Sequence, residues 1–206
     1  MRVRQAASIH FYAYLRIDNS TISGNYTRGS GGGLRQFGGT ALIANSVIVQ
    51  NYARRSCGGL NVLGFTGSSR DTTTIVNSTI AGNTATGQAT NISFTTFGGG
   101  VCNRRSPLTL INTTVSGNVA LRQFFASGGG IFNGDEAPLT LINTTVSSNR
   151  SEGDGGGIGN EGSPITLIHS TITGNVSAST STSADDGGGA LQLIRHRHAA
   201  SHAHRR

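Results

Sequence analysis

Tryptophan and lysine are missing from this chain, methionine occurs once, cysteine twice and proline three times. Each shortage removes a class of explanation. Without lysine, any basic catalytic group would have to be an arginine. Two cysteines, Cys57 and Cys102, are too few for a disulfide framework or a zinc site. Aromatic residues make up only 6%, so the stacking platform of a single-strand nucleic-acid binder is not supplied. No apolar run is long enough to span a bilayer. The opening stretch, MRVRQAASIHFYAYLRI, makes a poor signal peptide, because His10 interrupts its apolar part and no cleavage site follows.

Charge is also scarce, at 12% of residues, and the net +7 is concentrated at the ends. Arg2, Arg4, Arg195, Arg197, Arg205 and Arg206 lie in the first and last segments. Between Leu15 and Ile194 ten arginines face nine acids, a net of +1. A nucleic-acid partner would need an arginine stripe along the body, so none is expected.

What the chain has in abundance is glycine, 31 residues of it, together with Ser, Thr and Asn in a recurring pattern. NSTISGN (19–25), NSTIAGN (77–83), NTTVSGN (112–118), NTTVSSN (143–149) and HSTITGN (169–175) are copies of one motif, with a weaker copy NSVIVQN at 45–51. A second motif follows each: GGGL at Gly31, CGGL at Cys57, GGGV at Gly98, GGGI at Gly128 and Gly155, GGGA at Gly187. The final Asn recurs at intervals of 26, 32, 35, 31 and 26. That spacing marks a solenoid.

Within one unit Leu139, Leu141 and Val146 alternate with Thr140, Thr145 and Ser147. The period of two is that of a strand with one buried face. Leu15, Ile17 and Ile22 hold the same places in the first unit, Leu108, Leu110 and Val115 in the fourth, Ile165, Leu167 and Ile172 in the sixth. Each unit reads as three very short strands, with Ile131 and Ile158 marking the one after the glycines. Such strands bury a face only by stacking in parallel on their copies, and parallel crossovers are right-handed. The expected fold is all-β: a single-stranded right-handed parallel β-helix of about six coils over 15–194. Residues 1–14 form an irregular N-terminal segment and 195–206 a disordered Arg/His-rich tail. Asn112, Asn118 and Asn133 are expected at corners, where Asn tolerates a left-handed backbone and can stack as a ladder. Segments Thr84 to Phe97 and Val119 to Ser127 are expected to project from corners and carry binding.

GGGIFN (128–133) and PLTLINTTVSGN (107–118) resemble the repeat of polymorphic outer-membrane proteins and related β-helix surface proteins of bacteria, over about Leu15 to Leu193. The resemblance implies secretion and display at the outer membrane or cell surface, often as an autotransporter passenger. The translocator barrel of such proteins has no counterpart in this sequence, so a fragment of a longer gene is expected. The function implied is non-catalytic and adhesin-like, binding an extracellular glycan or protein through corner loops.

The chemistry-bearing candidates are few. Asp154 and Asp186 each precede a glycine triplet, with Glu152 and Asp185 beside them. In register they would stack about 5 Å apart, and calcium is the cofactor such a set would take. Two solvated turn carboxylates explain the same placement without metal. Pectin-degrading enzymes share the expected fold, but ADDGGG (184–189) supplies one Asp pair without the His, Arg and Lys partners of a hydrolase, and no lyase set is found. A polysaccharide-active enzyme is therefore the second reading, and an inactive fragment the third. Arg104 and Arg105 are expected to pair across coils with Asp135 and Glu136. The outward pairs Thr114/Ser116, Thr145/Ser147 and Thr171/Thr173 resemble an ice-binding face, but Val47 and Val49 interrupt it, and Thr suits any exposed strand. His196, His198, His202 and His204 would hold nickel or zinc loosely. Cys57 aligns with Gly98, four residues short of Cys102. Along an extended strand that is over about 10 Å, so the two are expected not to bridge.

Overall fold

The computed structural model describes residues 7–10, 14–65, 71–88, 95–121, 125–178 and 192–193. Among them every named element is a strand, and all the strand pairings are parallel. The chain is a parallel β-helix. Three sheets of six strands and one of seven run along the stack, with strand order following coil order in each. One coil comprises Ile131–Gly134, Leu139–Ile142, Thr145–Ser147 and Arg150–Ser151 before Ile158–Asn160 begins the next. This coil thus has four strands where alternation indicates three. The extra one is two residues long, too short to display a period. Parallel pairing reaches back to Ala7–His10, which lies beside Leu34–Phe37.

The inward columns follow the alternation. Leu108 pairs with Leu139 and Leu139 with Ile165, while Leu110, Leu141 and Leu167 form the next column. Ile43, Ile75, Leu110 and Leu141 are fully buried. Each such side chain contributes about 1.5–3 kcal/mol, an upper bound because the unfolded chain already hides some surface. The terminal coils are less covered: Leu15, Ile17, Ile22, Ile165 and Ile172 only flank the core, and Leu167 is 42% exposed.

The first motif encodes two corners. Its opening residue takes the left-handed conformation: Asn19, Asn45, Asn77, Asn112, Asn143 and His169 have φ of 47 to 50°. The Ser or Thr after it turns its hydroxyl back onto a carbonyl, as Ser78 donates to Val76 O and Thr144 to Ile142 O. At the second corner the left-handed residue is not the final Asn but the one before it, Gly117 (φ 62°) in the fourth unit. Asn118 instead points inward and is completely buried. Asn133 is no corner residue either: it lies within the strand Ile131–Gly134, bonded to Asn103 and Asn160.

The two motifs interlock. A Cβ on the third glycine of each triplet would press on the amide of the final Asn, Gly100 on Asn118 and Gly130 on Asn149. A Cβ on the second would overlap backbone of the adjoining coil. Only glycine lets the chain pass this close to its own turns. Segments Thr84 to Phe97 and Val119 to Ser127 begin and end in stacked strands, and Thr95–Phe97 pairs with Phe125–Ser127. Their tips, 89–94 and 122–124, and the tail 195–206 lie outside the described residues. Among the described residues no helix is long and apolar enough to cross a membrane.

Candidate functional site

Asp185 and Asp186 lie outside the described residues. Asp154 is buried, and its backbone bridges Ser127: its N–H donates to Ala126 O and its carbonyl accepts from Gly128 N. Glu152 sits at the surface and accepts from Arg150 Nη1 at 3.0 Å. Among the described residues no group of three His, Cys, Asp or Glu side chains is placed to hold a metal ion. The cross-coil pairing expected of the arginines is present at Asp135. Asp135 accepts from Arg104 Nε at 3.0 Å and faces Arg105 Nε at 3.2 Å. Partly exposed pairs of this kind contribute about 1 kcal/mol or less.

Cys57 and Cys102 are joined in a disulfide, with their Cα atoms 5.3 Å apart, which corrects the expectation that they lie too far apart. The alignment of Cys57 with Gly98 holds: Gly58 N bonds Gly98 O, and Leu60 pairs with Val101. The expectation fails because residues 98 to 102 are not extended. Gly98 has φ of 54°, and the chain folds back there so that a Cβ on Gly98 would touch Cys102 Sγ at 2.9 Å. Cys57 sits in the folded-back segment of its coil, directly over the outward side chain of Cys102 on the next.

The same fold-back covers the outer face of the glycine-led sheet along the stack. Register places Arg35, Asn61, Cys102 and Phe132 in one outward column and Phe37, Leu63 and Arg104 in the next. Outward residues should be exposed, yet Cys102 and Phe132 are fully buried. The segment before each strand lies on them: Phe97 packs its ring on Phe132 at 3.9 Å between centroids.

Where the folded-back segments, or flaps, at Gly29–Ser30 and Arg55–Cys57 meet this face, a cleft of about 280 Å³ opens. Arg35, Arg55 and Arg104 line it, with Ser30, Asn61 and Phe97, and the disulfide forms part of its wall. No carboxylate lines it among the described residues. The Arg104 guanidinium lies over the Phe97 ring at 5.5 Å, and that of Arg35 over Phe37 at 5.7 Å, both cation–π distances. Arg35 Nε is buried without a hydrogen-bond partner. Ser30 Oγ accepts from Ser56 N at 3.4 Å, leaving its own proton to donate elsewhere.

Sequence reading singles out Arg104 but neither Arg35 nor Arg55. Strand alternation puts Arg35 outward. What alternation lacks is the flap that turns an outer sheet face into a concave wall. The one sequence signal is Cys57, a cysteine at a position where four other coils carry glycine in the left-handed conformation (Gly31, Gly98, Gly128, Gly155). A side chain tolerated there points to a compensating bond.

No family model, no curated protein and no solved structure matches this chain.

Proposed function

We propose that this chain is a non-catalytic β-helix displayed at a bacterial cell surface or secreted, adhesin- or passenger-like, which binds an extracellular glycan or protein at its corners. The observation that carries the reading is the arginine-lined cleft, built by corner segments on a rigid stack, the arrangement in which loops on a scaffold acquire ligands. The Cys57–Cys102 disulfide supports the location, since such bonds persist in oxidising compartments and are rare in the cytosol. The repeat's resemblance to polymorphic outer-membrane proteins supports display, with a translocator supplied beyond this chain.

The test is an array of glycans and matrix proteins probed with the purified chain, with and without Ca²⁺ because Asp154, Glu152, Asp185 and Asp186 would supply a calcium-dependent contact. Bound glycans are then assayed for reducing ends and unsaturated products. Retention of at least one immobilised ligand without product release is expected. Turnover of a uronate polymer, lost in Asp154→Ala or Asp186→Ala, would replace this reading with that of a polysaccharide-active enzyme.

A further inference from the structure

We infer that the cleft between the Arg55–Cys57 flap and the outer face of the glycine-led sheet takes one anionic saccharide unit, carboxylated or sulfated. The inference rests on the binding reading above and names the ligand class for it.

Charge comes first. Three arginines, Arg35, Arg55 and Arg104, line one cleft, and no acid is among the described lining residues. Asp135 pairs with Arg104 from outside the lining and is shared with Arg105. A cleft with this surplus favours an anion, and the guanidinium fork matches the paired oxygens of carboxylate and sulfate. Arg35 supplies a second argument. Its Nε–H is buried without an acceptor, a costly state for a charged donor. A small rotation of the Arg35 side chain toward an anionic oxygen in the cleft would give it an acceptor.

The remaining wall describes the rest of the ligand. Ser30 and Asn61 can exchange hydrogen bonds with hydroxyl groups, while Phe97, Leu63 and the disulfide offer an apolar side. A sugar ring carries both kinds of surface. About 280 Å³ lies near the small end of ligand pockets, about 300 Å³. That suits a single unit. An extended polyanion is disfavoured by the acids further along the axis. Later coils carry Asp135, Glu136, Glu152, Asp154 and Glu161, so a nucleic acid tracking the stack would meet carboxylates.

Isothermal titration of the 206-residue chain tests this with five probes: a sulfated disaccharide, a hexuronate disaccharide, their neutral counterpart, inorganic sulfate and a short single-stranded oligodeoxynucleotide. At least one of the two anionic sugars should bind, and the difference between them identifies the acidic group. The neutral sugar should bind at least about tenfold more weakly, the loss expected when a charged hydrogen bond is removed. Arg35→Gln and Arg55→Gln should each weaken binding by a similar factor, with Arg35→Lys in between because it keeps charge and loses the fork. Arg150→Gln, remote from the cleft, should leave affinity unchanged, and far-ultraviolet circular dichroism checks that each variant is folded. The inference is overturned if no anionic sugar binds, or if both glutamine variants bind like the parent. It also fails if neutral sugar, free sulfate or the oligonucleotide binds as tightly as the best anionic sugar. The two readings fail separately. Cleavage of the bound sugar would end the non-catalytic reading and leave the cleft standing. Array binding that ignores Arg35 and Arg55 would do the reverse.

Discussion

At the scale of single residues, the final Asn of each interior repeat uses its whole hydrogen-bonding capacity. Asn118 Oδ1 accepts from the backbone N and the Nδ2 of Asn83, at 3.0 and 2.9 Å. Its Nδ2 donates to Ile80 O and to Asn149 Oδ1, both at 2.9 Å. The same pattern joins Asn25, Asn51, Asn83, Asn118, Asn149 and Asn175 into one ladder. A second ladder, Asn45, Asn77, Asn112 and Asn143, runs along an exposed corner. Water can replace a lost bond there but not in the core. Asn118→Ala should therefore cost about 3 kcal/mol or more, since several buried groups lose partners together. Asn112→Gly, which keeps the left-handed corner free of strain, should cost less than about 1 kcal/mol. Chemical denaturation of both variants checks this, and equal losses would mean that the inner ladder adds nothing beyond its turn. Recurrence makes both Asn positions legible in the sequence. Their roles are not, because Asn suits a left-handed bend and a buried ladder alike, and only the neighbour decides. Gly117 takes the bend and frees Asn118 to point inward. The cysteines mislead for a related reason: their alignment is readable, but the direction of the chain between Gly98 and Cys102 is not.

At the scale of the element, the strands are too short to hold their own register, and the glycines hold it for them. A Cβ on Gly129 would overlap the carbonyl oxygen of Gly156, one coil on. The Gly117 site is open, with nothing nearer than 3.9 Å, but its φ of 62° disfavours a side chain. Gly129→Ala should thus force neighbouring coils apart and cost about 3 kcal/mol, at the upper end of overpacking. Gly117→Ala should cost about 1 kcal/mol, from backbone strain alone. Thermal melts separate the two, and a Gly129→Ala variant as stable as Gly117→Ala would show that the coils have room to spare. Alternation alone identifies the longer strands, because Leu139, Leu141 and Val146 repeat an inward pattern along the chain. It cannot reveal the flaps. They bring Cys57 over Cys102 and Phe97 over Phe132, a placement that depends on how one coil leans on the next. The candidate cleft is illegible for that reason: its arginines are visible as outward residues, and its concavity belongs to the stack.

At the scale of the molecule, each coil touches only its neighbours, so stability should accumulate interface by interface. Interior coils, whose Ile75, Leu110 and Leu141 are wholly buried, have a partner above and below. The coils of Ile17 and Leu167 are less covered, and opening should begin there. The disulfide makes the stack asymmetric. It ties the third coil to the fourth across 45 residues, a constraint of about 4 kcal/mol on chain-entropy grounds. Opening from the N-terminal end should therefore halt at the third coil, while opening from the C-terminal end proceeds inward unopposed as far as the fourth. Amide hydrogen exchange read by mass spectrometry should show weak protection around Tyr14–Asp18 and Ile165–Ile168 and the strongest between Leu60 and Leu110. In the double variant Cys57→Gly with Cys102→Ser, which restores glycine at the left-handed position, the maximum should move toward Leu110 and Leu141. Uniform protection in both forms would mean that the coils open only together, and the nearest-neighbour account of the stack would have to be abandoned.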